Sequence, residues 1–207
     1  ALLEKVMAAG ERTGITPRIH VEVDTGMTRG GVLNEWPVFL KKVSAATLSE
    51  KVELVGFFSH FARADEPQEL ANEMQLKKFT NLLSELKATG VTPKYLHFAN
   101  SAAALSNPNA TFDFVRLGIA MYGLSPDVKT MGSSKTLGLI PAMTLRAKLH
   151  LVKEVPAGAA VGYGGSAITT VETKVGVVAM GYADGIPRNA DNSTGVFFNG
   201  DRAPILG

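Results

Sequence analysis

The hydrophobic rhythm of this chain changes once, and that change limits what it can fold into more than any other feature. From Ala1 to about Gly123, short β-branched or apolar runs alternate with stretches of helical spacing. The runs are Ile19 to Val23, Val52 to Phe58, Tyr95 to Phe98 and Phe112 to Val115. Between the second and third, Leu76, Phe79, Leu83 and Leu86 recur at helical spacing among Lys77, Lys78, Glu85 and Lys87, and Gly90 stands just past them. The pattern predicts an amphipathic helix from Gln68 to Ala88 with a glycine C-cap. Strand, helix, strand, helix is the signature of βα units on a parallel sheet.

A connector rich in Pro, Gly and Ser follows, from Leu124 to Pro141, and the period then drops to two. Met143, Leu145, Ala147, Leu149 and Leu151 alternate with Thr144, Arg146, Lys148 and His150. This alternation predicts a half-buried strand of an antiparallel sheet. Val175 to Met180 reads as another strand, and Val196 to Gly200 carries the Asn-Gly signal of a tight hairpin. The expected organisation is an α/β part over 1–124, a connector over 125–140 and the start of an all-β domain over 141–207.

Length sharpens this expectation. At 207 residues the chain falls short of the roughly 250 that a complete eight-fold barrel takes. About 124 residues at roughly 30 per unit leave room for four βα units, the number of strands counted. With 45% hydrophobic and 19% charged residues, the chain can bury a core and is not a disordered polypeptide. A net charge of +2 is too slight for a nucleic-acid surface. The absence of cysteine excludes a disulfide framework and a thiolate metal site, which fits a cytoplasmic protein. The longest apolar runs are far below the 18 or so residues of a membrane span. The sequence begins at Ala1 and stops just after Pro204-Ile205-Leu206, so both ends read as cut.

Four polar clusters each follow an expected strand of the α/β part: Asp24 to Gly30, Ser59 to Asp65, His97 to Ser101, and Arg116 to Ile119. Strand C-termini form the ligand face of such folds, so these clusters should converge. Singly, Asp24 and Ser101 read as turn or cap residues and Arg29 and Arg116 as solvated cations. Together they suit an anion: the Gly118 and Ile119 backbone N–H groups and the Ser101 hydroxyl can hold a phosphate, and two permanent cations can clamp it or a carboxylate. His60 and His97 lack a carboxylate at ligand spacing, which disfavours a metal site. Gly162-Tyr163-Gly164-Gly165-Ser166-Ala167 imitates a dinucleotide fingerprint, but the β-branched Ile168 to Val171 follows where a helix must begin. Asn109-Ala110-Thr111 and Asn192-Ser193-Thr194 match glycosylation sequons, in a chain with no other mark of secretion.

The segments together resemble the alanine racemases, pyridoxal-phosphate enzymes with an N-terminal eight-fold barrel and a C-terminal β domain. The resemblance runs in order through Val23 to Gly30, Ser59 to Ala62, His97 to Ala103, Val115 to Gly123, Gly162 to Gly164 and Gly181 to Gly185. It implies the later half of a TIM-type (β/α)8 barrel joined to the first part of a β domain. It also implies interconversion of L- and D-alanine by two-base proton transfer on the cofactor, supplying D-alanine for peptidoglycan. The partner implied is a second copy of the chain, with the active site shared across the interface.

The resemblance also gives roles. Arg116 matches the arginine facing the pyridine nitrogen of pyridoxal phosphate, His60 the imidazole beside its ring, and Ser101 with Gly118 and Ile119 the phosphate cradle. An arginine cannot give that nitrogen a proton, which weakens the ring as an electron sink and suits racemisation over side reactions. Arg29 matches the arginine bonding to the cofactor phenolic oxygen and the substrate carboxylate, and Tyr182 a tyrosine at the substrate entrance. Tyr163 matches the tyrosine that removes the α-proton of the L-isomer at the partner's cofactor.

The second base, a lysine that holds the cofactor, belongs to a motif upstream of everything in this chain. The isolated 207 residues are therefore expected to be inactive. Glu22 stands where many relatives carry a carbamylated lysine, and is expected to orient Arg29. A broader-specificity amino-acid racemase, a decarboxylase on the same barrel and a non-catalytic, weakly cofactor-binding fragment are the alternative readings.

Overall fold

A computed structural model describes residues 2–190 and 193–207; the Asn192 sequon lies outside the described residues. The chain divides into two compact units, Ala1–Met143 and Thr144–Gly207.

In the first unit the order is α1 (Leu2–Thr13), β1 (Arg18–Glu22), α2 (Trp36–Leu48), β2 (Glu53–Phe58), α3 (Leu70–Ala88), β3 (Tyr95–His97) and α4 (Ser101–Ser106). The three strands pair in parallel and in chain order, β1 with β2 and β2 with β3. Long helical crossovers make this pairing possible. The helix expected over 68–88 forms two residues shorter at its start. Its buried positions are Asn72, Gln75, Phe79, Leu83 and Leu86, a single stripe at spacings of three and four.

The core lies between the sheet and these helices. Phe57 of β2 stacks on Phe79 of α3 at 5.2 Å between ring centroids, with Trp36 of α2 5.9 Å from Phe57. Phe98 packs at 5.0 Å from Phe79 and 4.0 Å from Phe61. Each aromatic pair of this kind stabilises by about 0.5–1.5 kcal/mol beyond its buried area.

The fourth expected strand, Phe112 to Val115, does not form. The segment does run beside β3, where Asp113 N–H donates to Leu96 O at 3.1 Å and Arg116 N–H to Ala99 O at 3.0 Å. However, Phe112 has φ +46°, and the Asp113 carboxylate takes the Leu96 N–H at 2.6 Å. A side chain thus fills the ladder position that a strand backbone would need, and three strands stand where four were counted.

The second unit is all β. Strands β4 (Leu149–Val155) and β7 (Thr173–Val178) pair antiparallel, as do β5 (Ala160–Val161) with β6 (Ala167–Ile168) and β8 (Gly195–Phe198) with β9 (Asp201–Pro204). The alternating run from Met143 to Leu151 becomes strand only from Leu149 onward, where β7 supplies a partner. Nor is it half-buried: β4 is exposed on both faces up to its last residue, because no layer among the described residues of this unit covers it. The expected hairpin is present, with Asn199 at φ +52° and Gly200 at φ +93°. These are the left-handed conformations a two-residue turn needs between right-twisted strands. No helix among the described residues is long and apolar enough to cross a membrane.

Candidate active site

The C-terminal ends of β1, β2 and β3 bring polar side chains to one edge of the parallel sheet. At the end of β1 the Asp24 carboxylate accepts from the backbone N–H of Gly26, Met27 and Thr28 at 2.8, 3.0 and 3.2 Å. Burial opposes its ionisation, yet these three donors hold the Asp24 carboxyl below the usual carboxylate range. The loop that carries Arg29 is therefore built on a charged anchor, and Arg29 itself is exposed.

A directed hydroxyl chain joins this loop to the next. Ser59 Oγ donates to Val23 O at 2.6 Å, so it accepts from Thr25 Oγ1 at 2.8 Å. Thr25 Oγ1 in turn accepts from Gln75 Nε2 at 3.1 Å. Gln75 also donates to His60 O at 3.0 Å and accepts from Ala62 N–H at 2.9 Å. One buried amide on α3 thus fixes the loops after β1 and β2, and His60 with them.

Arg116 is the centre of the site. Its Nη1 donates to His97 Nδ1 at 2.6 Å, and its Nη2 donates to Ser59 O at 2.8 Å and to His60 Nδ1 at 3.0 Å. The guanidinium carries five N–H donors and no acceptor, so both imidazole nitrogens facing it accept. Its Nε–H has no protein acceptor among the described residues. Its Cζ lies 5.2 Å from the centroid of the Phe58 ring, a cation–π distance.

The field here is positive. Burial, then the charges of Arg116 and Arg29, push His60 below the usual histidine value. His97, 4% exposed, is pushed down to about 4 by burial, Arg116 and His20. Both imidazoles are neutral at pH 7. Burial lowers Arg116 as well, and the nearby Glu22 carboxylate partly opposes this.

The expected anion site takes a particular form. Ser101 Oγ accepts the Gly118 N–H at 2.8 Å and the Ala120 N–H at 3.3 Å. The Gly118 donor is therefore engaged within the protein, while the Ser101 hydroxyl keeps its own proton to donate. Gly118 and Ile119 are exposed beside it. A ligand with a phosphate-like group toward Ser101 and a lone-pair nitrogen toward Arg116 suits this donor set, since neither group has to be protonated.

The structure brings together His60, Ser101, Arg116, Gly118 and Ile119, and the charge of Arg29 reaches both His60 and Arg116. Glu22 makes no ion pair with Arg29 among the described residues; its carboxylate approaches Gly30 and its field reaches Arg116. The expected orientation of Arg29 by Glu22 thus involves no ion pair between them among the described residues.

Tyr163 and Tyr182 belong to the second unit. Tyr163 stands on a glycine-rich turn and is 95% exposed. The turn runs into β6 and opens no α-helix, which removes the dinucleotide reading. Tyr182 begins another short turn and is also exposed. Sequence reasoning missed Gln75 and His20. Gln75 was detectable as a polar residue one helical turn before Phe79 on the buried stripe.

These features define an α/β unit that gathers, at its strand ends, a donor-only cation and, nearby in sequence, a serine hydroxyl flanked by exposed Gly118 and Ile119. The alanine racemase N-terminal domain family matches residues 1–126, and the alanine racemase C-terminal domain family matches residues 142–207. The chain belongs to the alanine racemase family. It is 44% identical to the alanine racemase of Salinispora tropica over 208 aligned residues, covering 100% of this chain and 55% of that protein. Among solved structures it resembles the alanine racemase from D-cycloserine-producing Streptomyces lavendulae, at 43% identity and TM-score 0.92, covering 100% of this chain and 54% of that one. It also resembles the alanine racemase from Bartonella henselae with covalently bound pyridoxal phosphate, at 29% identity and TM-score 0.78, covering 99% and 54%. The chain thus spans about half the length of the relatives it matches.

Proposed function

We propose that this chain is the central portion of an alanine racemase that uses pyridoxal phosphate, combining later βα units of a TIM-type barrel with the opening of a β domain. The observation that carries the reading is the clamp on Arg116. A guanidinium has no lone pair to accept a proton and does not release one at neutral pH, and two neutral imidazoles and a carbonyl fix its orientation. With pyridoxal phosphate bound, it would face the ring nitrogen as a hydrogen-bond donor that supplies no proton. When bound, pyridoxal phosphate supplies the electron-withdrawing ring that acidifies the α-hydrogen of an attached amino acid.

The rest is the work of the chain. Ser101 would donate its hydroxyl proton to the phosphate beside Gly118 and Ile119, and His60, neutral and half-buried, would stand beside the cofactor ring. Arg29 binds the substrate carboxylate. Tyr163 removes the α-proton of L-alanine at the site of a second copy, and its exposure on a glycine turn supports such a role. Tyr182 lines the approach. The second base would be the lysine that holds the cofactor, and none of the site residues named above supplies it. The parent protein acts in the cytoplasm as a homodimer and supplies D-alanine for peptidoglycan.

The test is expression of the complete reading frame around this chain with pyridoxal phosphate and L-alanine. D-alanine should form, and Tyr163→Phe should lower turnover about 10²–10⁴-fold. A complete protein that leaves L-alanine unchanged overturns the reading.

A further inference from the structure

Three strands contribute one polar line on the sheet face turned away from the helices. His20 of β1 stands in register with Gly56 of β2. A Cβ at Gly56 would lie 2.1 Å from His20 Nδ1 and 2.4 Å from its Cε1. The imidazole therefore occupies the space where a side chain of β2 would stand. The glycine is required by this close approach, since its backbone is ordinary strand. Across the gap, His20 Nδ1 lies 2.9 Å from His97 Nε2 on β3, with ring centroids 5.2 Å apart. His97 is stacked between Phe58 at 4.6 Å and Phe114 at 4.3 Å, so its ring plane is fixed.

The protons along this line can be assigned by elimination. Arg116 only donates, so His97 Nδ1, 2.6 Å from Nη1, accepts. A neutral imidazole that accepts at Nδ1 carries its proton on Nε2, and that N–H points at His20 Nδ1. His20 Nδ1 then accepts, and the His20 proton sits on its own Nε2. Every hydrogen bond runs outward from the guanidinium. In the opposite tautomer, His97 would set one donor against another at 2.6 Å.

We propose that His20 and Gly56 are positioning residues for Arg116: His20, reaching through the gap left by Gly56, accepts the His97 Nε2 proton and holds His97 in the tautomer that accepts from the guanidinium. The proposal rests on the racemase reading for what Arg116 faces, and on bond geometry alone for how Arg116 is held. His20 is exposed, and the group that meets Gly56 is the movable end of a side chain. Substitution at either position therefore displaces the ring without opening the core.

The experiment uses the whole chain without cofactor, labelled with nitrogen-15 in histidine and arginine. The native chain should show a through-hydrogen-bond coupling between His97 Nε2 and His20 Nδ1, with His97 Nδ1 unprotonated. Gly56→Ala, which keeps both histidines but separates them, and His20→Phe, which keeps ring volume, should each abolish the coupling and speed rotation of the Arg116 guanidinium. Circular dichroism checks that each variant folds. A native chain without the coupling, or with His97 protonated at Nδ1, overturns the proposal however the variants behave. A folded variant that loses the coupling but leaves Arg116 rotation unchanged overturns the positioning role. The readout needs neither cofactor nor turnover, so its failure leaves the racemase reading standing. Absence of racemisation in the complete protein would leave the coupling in place.

Discussion

Phenylalanine behaves in opposite ways in the two units. Phe57, Phe79, Phe98 and Phe61 of the first unit are fully buried and touch ring to ring in that order, whereas Phe197 of the second is 77% exposed and Phe198 is also exposed. Phe57 lies on β2 and Phe197 and Phe198 on β8, so strands carry rings in both units. In a βα unit the crossover helix that makes parallel pairing possible also covers the sheet, so strand and cover come from adjacent sequence. An antiparallel hairpin needs only its turn to pair, and nothing in a turn supplies a second layer. Pairing of the β5–β6 and β8–β9 hairpins is thus locally encoded, whereas β4 and β7 pair across the β5–β6 segment between them, and neither arrangement supplies a covering layer.

The largest expected effect tests the covered side of this contrast. Phe79→Ala removes the ring that touches Phe57, Phe98 and Phe112 and should cost about 3–5 kcal/mol. Urea unfolding followed by the fluorescence of Trp36, packed in the same cluster, measures it. A cost below about 1 kcal/mol would mean that the cluster is not the continuous core described.

Acid should act on the same unit. The His97 imidazole titrates near 6.5 when unfolded and about 4 when folded. Between those values the unfolded chain binds the extra proton, so stability is full above about pH 6.5 and falls as pH drops toward 4. The loss approaches about 3 kcal/mol, and His60 shifts in the same direction. Urea midpoints at pH 7.5, 6, 5 and 4 should trace this fall, and His97→Asn should flatten it. A native chain whose midpoint holds constant from pH 7.5 to 4 contradicts the assignment of His97 as a buried neutral group.

What the sequence disclosed divides along the same line. Periodicity marked β1, β2, β3, α3 and the Asn199-Gly200 turn, because these depend on neighbours within a few residues. It misjudged Phe112 to Val115, where Asp113 replaces a backbone partner, and it overstated the burial of β4, where alternation was read as cover. At the site, Arg116, His60 and Ser101 were visible as polar residues after apolar runs. The contact of His20 with His97 joins residues 77 apart through the missing side chain of a third, Gly56, and no local pattern announces it.

A smaller effect belongs to the loop that presents Arg29. Asp24→Ala removes the acceptor of three backbone N–H groups at a site only 6% exposed and should cost about 1–3 kcal/mol. Asp24→Asn, which retains an oxygen acceptor, should cost less. Equal losses in the two variants, measured by the same urea unfolding, would show that charge rather than acceptor geometry holds the loop.

The smallest effect closes the comparison. Phe197→Ala should change the unfolding free energy of the chain by no more than about 0.5 kcal/mol, because the ring leaves little water-free contact behind. Replacing Gly200 with Val at φ +93° forces a β-branched residue into a conformation it resists and should disturb the hairpin while leaving the Trp36 signal unchanged. The pair of variants separates two sources of order in the second unit: if Phe197→Ala proved as costly as Phe79→Ala, hydrophobic cover would exist there after all. If only Gly200→Val perturbs the backbone amide signals of Gly195–Phe198 and Asp201–Pro204, the hairpin is held by its turn and ladder.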